Sequence, residues 1–526
     1  MRLGVLLVLA GLALPFLADL AMSRGLNHDE HQHIAAGMLW AREGLMPYRD
    51  YPHFHTPYLA FVYGELFRWT AHPLLVARAF SALCATGIVA LVGLVAFAEM
   101  RGARAAWRAA LGAVALCLCS AVFTHTTGRA WNQEPALLLV LLAFVAHLRG
   151  LRSAAGASSR GRQVSGSEMA AAPMGFRSAA GSPGYTRWLA ASGLLLGLAI
   201  GFRITHAPLI APFGLATLLW AGERRLAAAT AFSAGLLAGL AGVFAMCLAA
   251  PEGFLFGNFE FAKVNITYRF ATGEPRTMTL LKKLRFLWKE VLRPEAGLVA
   301  AALVPWIAAA WHARRTGQRL RVELRFLLLL MPFVLMGALA PSPVFEQYFY
   351  PLAPFLVLAG AFALAALPAG SRAARISWIA GAAGLVLSAG MHARAYKDLP
   401  DLFSVRKWTP IKIHDRAQVL REHVPGGAIL TLAPIFPLEA GLSIDPSFAT
   451  GPFAWRIAPY VEPAKAARLR IPTPATLAAR LDAAPPAGIL LGFEKREELL
   501  ADYARQRGYT RVPLEYRGDL WTRPGR

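Results

Sequence analysis

Cysteine is scarce in this 526-residue chain, with four in all, and acidic residues number 31 against 54 lysines and arginines. Cys84, Cys117, Cys119 and Cys247 fall within apolar runs, where a thiol behaves as a small hydrophobe, so neither a disulfide framework nor a cysteine zinc site is expected. A phosphate-cradling glycine loop is missing too, since Gly426-Gly427 lacks the glycine spacing and the following helix that such a loop needs. No internal repeat is visible. No convincing small-residue cleavage site accompanies the first apolar run, Leu3 to Met22, which reads as a retained first helix. The net charge of +23 has no basic stripe with interleaved aromatics to carry it, so no nucleic-acid partner is expected.

What is abundant is apolar length. The chain is 56% hydrophobic with a mean hydropathy of +0.44. Runs of about 20 residues, enough to cross a hydrocarbon core of about 30 Å, recur as far as residue 392. About eleven spans are expected, near 3–22, 74–99, 107–125, 134–149, 188–204, 206–221, 227–250, 295–312, 325–341, 348–368 and 376–392. Arginines gather in alternate connections: Arg101, Arg104 and Arg108; Arg149 to Arg187; Arg224 and Arg225; Arg314, Arg315, Arg319 and Arg321; Arg372 and Arg375. The positive-inside rule then sets the N-terminus in the cytoplasm and the C-terminal segment outside.

The expected fold is therefore a polytopic α-helical membrane protein of the cytoplasmic (inner) membrane. Residues 1–392 form its transmembrane part, and 393–526 form a small extracytoplasmic α/β domain, with strands at Ala428-Ile429-Leu430-Thr431-Leu432 and Gly488-Ile489-Leu490-Leu491-Gly492 and a helix over Arg496 to Gln506. Residues 150–186, rich in Ser, Gly, Ala and Arg, read as a flexible cytoplasmic linker. Three segments face outward: the first loop, 23–73; the turn from Arg129 to Glu134; and the loop 251–294 with Lys263, Arg269, Arg276, Lys282 and Lys283.

Charge at these outward positions narrows the function. Asn27-His28-Asp29-Glu30-His31 follows the first span, and Asn27 with Glu30 three residues on also fits a helix-capping box, which explains the carboxylates without chemistry. Capping gives no reason for a second acid, and Glu134 enters the fourth span, where a carboxylate is costly and usually faces a cavity. Paired N–H donors suit phosphate oxygens, which makes Arg203, Arg129, Lys263, Arg269 and Arg276 candidate phosphate ligands, although cations at span ends also serve as interfacial anchors. His28, His31, His33, His53 and His55 crowd the first loop. They lack strict zinc spacing, so no cofactor is assigned and a divalent metal stays open.

A resemblance gives these residues a common purpose. Asp29-Glu30, then Gly44-Leu45-Met46-Pro47-Tyr48-Arg49-Asp50, then Pro57-Tyr58-Leu59, with Arg78 at the start of the next span, resembles the first outer loop of the GT-C membrane glycosyltransferases. Protein O-mannosyltransferases and lipid A aminoarabinose transferases have loops of this kind. Gly193-Leu194-Leu195-Leu196-Gly197 to Arg203, and Tyr348-Phe349-Tyr350-Pro351-Leu352-Ala353-Pro354, resemble later parts of that family. The resemblance implies a GT-C-like catalytic domain over 1–392. It implies transfer of a sugar from a polyprenyl-phosphate carrier, by inversion, to a glycan, lipid or protein acceptor at the outer face of the membrane. It also implies Asp29 as general base with Glu30 beside it, and Glu134 as the second acid, where relatives often carry Asp. The rival reading is a transporter or flippase of a lipid-linked sugar, against which stand the lack of an inverted repeat and the gathering of charge at one face.

Overall fold

The computed structural model describes residues 2–159, 184–274 and 277–523. The helices run in order as α1 (Arg2–Ser23), α2 (His28–Glu43), α3 (Tyr58–Phe67), α4 (Pro73–Glu99), α5 (Ala103–Leu118), α6 (Ala121–Thr126), α7 (Gln133–Ser159), α8 (Gly184–Phe202), α9 (Ile210–Trp220) and α10 (Arg225–Ala249). They continue as α11 (Pro251–Leu255), α12 (Phe261–Ala271), α13 (Leu280–Phe286), α14 (Ala296–Arg315), α15 (Val322–Leu339), α16 (Leu352–Ala365) and α17 (Arg372–His392). Nine stretches of these described residues, centred on α1, α4, α7, α8, α10 and α14 to α17, are long and apolar enough to cross a membrane. The protein is a multi-pass membrane protein.

Two expected spans come out short. The run 107–125 is divided, because α5 stops after 16 residues at Leu118 and Ser120 caps a new helix, α6, accepting from the Phe123 amide at 3.2 Å. The run 206–221 is a 3-10 turn, Ile204–Leu209, that leads into the 11 residues of α9. Residues 150–159 of the expected linker continue α7 as helix, in keeping with the strong helix preference of their Leu, Arg and Ala, while 160–183 lie outside the described residues.

The ends of the bundle differ in character. At one end, α4, α7 and α15 are tied by ion pairs: Arg152 binds Glu99 at 2.8 Å and also Glu323, and Arg321 reaches Glu323 at 3.2 Å and also Glu99. At the other end lie the C-termini of α1, α8 and α10, the N-termini of α4, α7 and α16, and the segments between them. Close backbone packing fixes α8 against α10. A Cβ on Gly193 would stand 2.0 Å from the Phe232 carbonyl oxygen, and one on Gly235 would stand 2.0 Å from that of Ala190. Small residues let helices meet this closely in a membrane.

The C-terminal residues form a five-stranded sheet in the order β2 (Ser443–Ile444), β1 (Ala428–Thr431), β3 (Gly488–Leu491), β5 (Asp519–Thr522), β4 (Thr510–Pro513). The first three strands are parallel and the last two pair antiparallel. Every residue of β3 is buried, which is why it reads as an unbroken apolar run rather than an alternation. Helices α18 (Thr409–His423), α19 (Ile435–Glu439) and α20 (Pro452–Ile457) join this part to the bundle, α18 against α1 and α4, α19 against α2 and α4, and α20 against α12. Ile34 and Leu39 of α2 and Ala77 of α4 share one core with Ile413, Ile429, Ile435 and Leu490. Ile435 also donates its amide to His31 Nδ1 at 3.4 Å.

Candidate active site

Helix α2 begins as its sequence suggests. Asn27 Oδ1 accepts from the Asp29 amide at 2.9 Å and Glu30 Oε2 accepts from the Asn27 amide at 2.8 Å, a reciprocal capping box. This start separates the two neighbouring carboxylates. Glu30 points inward, fully buried, and Arg78 grips it with two N–H donors at 2.8 Å each. The Ala130 amide donates to the same carboxylate at 2.9 Å. Arg78 spends its remaining donors on the carbonyl oxygens of Ala21, Arg24 and Gly25. Both Glu30 oxygens are thus saturated, and despite burial the Arg78 guanidinium holds this carboxyl below the usual range. Glu30 is expected from sequence among the catalytic acids, but this geometry makes it a structural carboxylate. Arg78 belongs to the first-loop pattern, but its pairing with Glu30 was not read from the sequence; the signal was its place in the second turn of an apolar span, where an arginine needs an acid.

Asp29 is turned the other way, with its side chain 29% exposed. His28 Nε2 lies 3.4 Å from its Oδ1. Burial pushes the Asp29 carboxyl above the usual aspartate value, opposed by His28 and by Arg129, Arg456 and Arg203, which surround it without a direct bond. Such a carboxylate keeps its lone pairs available and has reason to take a proton.

The surrounding cations are held by different elements. Arg203 follows the last residue of α8 and is 9% exposed; its Nη1 donates to Asn132 Oδ1 at 2.7 Å and its guanidinium lies over the Tyr348 ring at 5.2 Å. Asn132 in turn donates to the Phe202 carbonyl at 2.9 Å, which clamps the turn before α7 to the end of α8. Arg129 sits in that turn above Trp131, 4.7 Å from its ring centre, and its buried Nε has no hydrogen-bond partner. The turn passes close to α1 at Gly128, where φ is +92° and a Cβ would stand 2.7 Å from the Ala21 amide nitrogen. Glu134 is fully buried at its far side; Oε1 accepts from the Gly128 amide at 3.1 Å, whereas Oε2 has no partner.

Arg269 comes from α12. It pairs with Glu274 at 3.6 Å, lies 5.6 Å from the Phe345 ring, acts electrostatically on Tyr348, and leaves its buried Nε unpartnered. Burial lowers the pKa of Arg129, Arg203 and Arg269 alike, the mark of cations withdrawn from water. Arg456, on α20, donates to Glu494 at 2.8 Å. It was not foreseen, because nothing in residues 393–526 carries a motif. Lys263 is exposed on α12 six residues before Arg269, about 120° around the helix, and does not join the group. Arg276 lies outside the described residues.

Of the loop histidines, His31, His33, His53 and His55 are held toward the neutral ring by burial. His33 lies beside His55 with centroids 4.8 Å apart and the rings tilted by 36°, and burial lowers the pKa of His31 and His33 to about 3 and of His53 to about 4. Among the described residues they form no metal-ligand cluster. That geometry occurs elsewhere, at His72, His414 and Glu439.

The bundle and the small sheet that caps one end of it have counterparts in fold among solved structures. ArnT from Cupriavidus metallidurans in the apo state matches over 98% of this chain and 97% of its own, with a TM-score of 0.59 and 14% identity. The fold is that of ArnT. The structure of the same ArnT bound to undecaprenyl phosphate covers 99% of this chain and 97% of its own, with a TM-score of 0.55 and 14% identity. The ArnT fold is a GT-C fold, the fold that the resemblance over residues 1–392 implies. No family model matches the sequence, and no curated protein matches it.

Proposed function

We propose that this protein is a GT-C membrane glycosyltransferase that moves a sugar from a polyprenyl-phosphate carrier to an acceptor at the outer face of the cytoplasmic membrane. The observation that carries the reading is a contrast of charges: an aspartate with open lone pairs lies among Arg129, Arg203 and Arg456, and the Nε atoms of Arg129 and of Arg269, which acts on Arg456, lack partners. An anion with several oxygens satisfies those donors, and a lipid phosphate is such an anion. The likeness to an ArnT that binds undecaprenyl phosphate supports the same ligand class here. The outward direction rests on the arginine-rich turns at the opposite end of the bundle.

In this reading Arg203, Arg129 and Arg269 neutralise the carrier phosphate, and Arg456 adds charge from the C-terminal side. Asp29 takes the proton of an acceptor hydroxyl or amine as its oxygen or nitrogen bonds to the sugar's anomeric carbon. The bond from that carbon to the phosphate oxygen breaks on the opposite face, so the configuration inverts, and the phosphate leaves bearing the bonding pair. Glu134 holds the Gly128 amide and so orients the turn that presents Arg129 and Asn132, with its free oxygen left to serve as the second acid. Glycan, lipid and protein acceptors all meet this chemistry. The C-terminal residues 393–526 act as an outer domain that closes one wall of the cleft.

The test is turnover of a defined polyprenyl-phosphate sugar by purified protein. Release of free polyprenyl phosphate, dependent on an added acceptor, is expected. Movement of intact donor across vesicles without cleavage would replace the transferase with a flippase.

A further inference from the structure

Away from the arginine cleft, His72, His414 and Glu439 converge where the first turn of α4 meets α18 and α19. Their ligand atoms lie within 4.8 Å of one another. His414 Nδ1 is 2.8 Å from Glu439 Oε2, and the His72 and His414 rings stand with centroids 3.9 Å apart. Glu439 is 2% exposed, and its other oxygen accepts from the Leu74 amide at 2.7 Å, closing the N-terminus of α4. Gln418 holds the far side of the His414 ring, its Nε2 lying 3.2 Å from His414 Nε2 and 3.1 Å from the Glu439 carbonyl oxygen. One group in this arrangement is unexplained: His72 Nδ1 is buried and has no hydrogen-bond partner. A histidine bonded to a carboxylate needs no further company. A second imidazole set against it at a tilt of 46°, with a bare nitrogen, does.

The geometry points to a divalent-metal site formed by His72, His414 and Glu439, which pins the C-terminal region to the head of α4. Two imidazole nitrogens and one carboxylate oxygen form a ligand set suited to Zn²⁺, with water in the fourth position. Ligand atoms around a tetrahedral zinc lie about 3.3 Å apart, so the His414 and Glu439 atoms need to separate only slightly. Binding displaces the proton between His414 Nδ1 and Glu439 to bulk water. The effect reaches the cleft indirectly, because α19 also contacts α2 through Ile435 and His31.

The experiment uses full-length protein in detergent, purified on a tag without histidine, stripped with chelator and titrated with Co²⁺ as a spectroscopic stand-in for Zn²⁺. Wild type is expected to bind about one equivalent with visible bands of tetrahedral intensity and to melt at a higher temperature when loaded. His72→Ala and His414→Ala should lose both signals, and Glu439→Gln, which still accepts from the Leu74 amide, should bind at least about tenfold more weakly. His423→Ala, at an exposed position on α18, should behave as wild type. His72 is half-buried with its Nδ1 unbonded, so its alanine variant folds and keeps the test sharp even where His414→Ala does not. Absence of saturable Co²⁺ binding in wild type, or undiminished binding by His72→Ala, overturns the site.

Discussion

Carboxylates and arginines meet at both ends of this helix bundle, with opposite outcomes. At the end joining α4, α7 and α15, Glu99 and Glu323 share Arg152 and Arg321 directly, and the four side chains form a closed network. At the other end Glu30 is closed in the same way by Arg78, but Asp29, one residue away, faces Arg129, Arg203 and Arg456 across a gap. Charges that satisfy one another hold helices together. Charges held near each other and left unsatisfied are a site waiting for an ion.

That contrast is broken most severely at Glu30. Glu30→Ala strands Arg78 inside the protein and is expected to cost about 3–5 kcal/mol, seen as loss of the monodisperse peak in detergent and of folded yield. Survival of Glu30→Ala with normal yield would remove the distinction between the two neighbouring acids. Next comes Asp29→Asn, which keeps the shape of the residue but not its basicity. Normal yield with transfer slowed about 100-fold or more is expected, read as release of polyprenyl phosphate; near-normal turnover would return Asp29 to a helix-start role.

Arg203→Ala should raise the apparent Kd for the lipid donor about tenfold or more while leaving acceptor affinity nearly unchanged, since a charge-assisted phosphate contact is lost. Equal weakening of both substrates would mean that Arg203 only supports the fold. At the closed end, Glu99→Gln should lower stability by about 1–2 kcal/mol, less than at Glu30 because Arg152 and Arg321 are 22% and 26% exposed and water compensates them. Turnover per folded molecule should not change. The gentlest probe is pH. Desolvation raises the Asp29 pKa, and the base form exists only above it, so activity should fall on acidification at a pH above the ordinary aspartate range of about 4. An acid limb at or below that range would contradict the desolvated setting.

Much of the architecture was legible because apolar length is written locally: every expected strand and nearly every span lies where its run of side chains put it. The place of Asp29 in the first turn of α2 was also legible, through a short loop pattern. Glu30 was harder, because capping signals and catalytic signals use the same residues. Its true partner is 48 positions away, and only the fold brings Arg78 to it. Arg456 was invisible, since a lone arginine on a short helix announces nothing until the sheet is docked. Lys263 and Arg269 looked alike in sequence, and helical phase alone parts them.

The glycine contacts between α8 and α10 bear on how the cleft can move. Two backbones in direct touch leave α8 no room to slide or rotate without collision, so Arg203, just beyond its last residue, rides on a fixed rail. Arg269 sits instead on α12, beyond a stretch of π-helix, Phe256–Glu260, where the hydrogen-bond ladder is already loosened. That stretch is itself held by close backbone contact, since a Cβ on Gly257 would stand 2.0 Å from the His53 carbonyl oxygen, so both arginines follow backbones in direct touch with their neighbours.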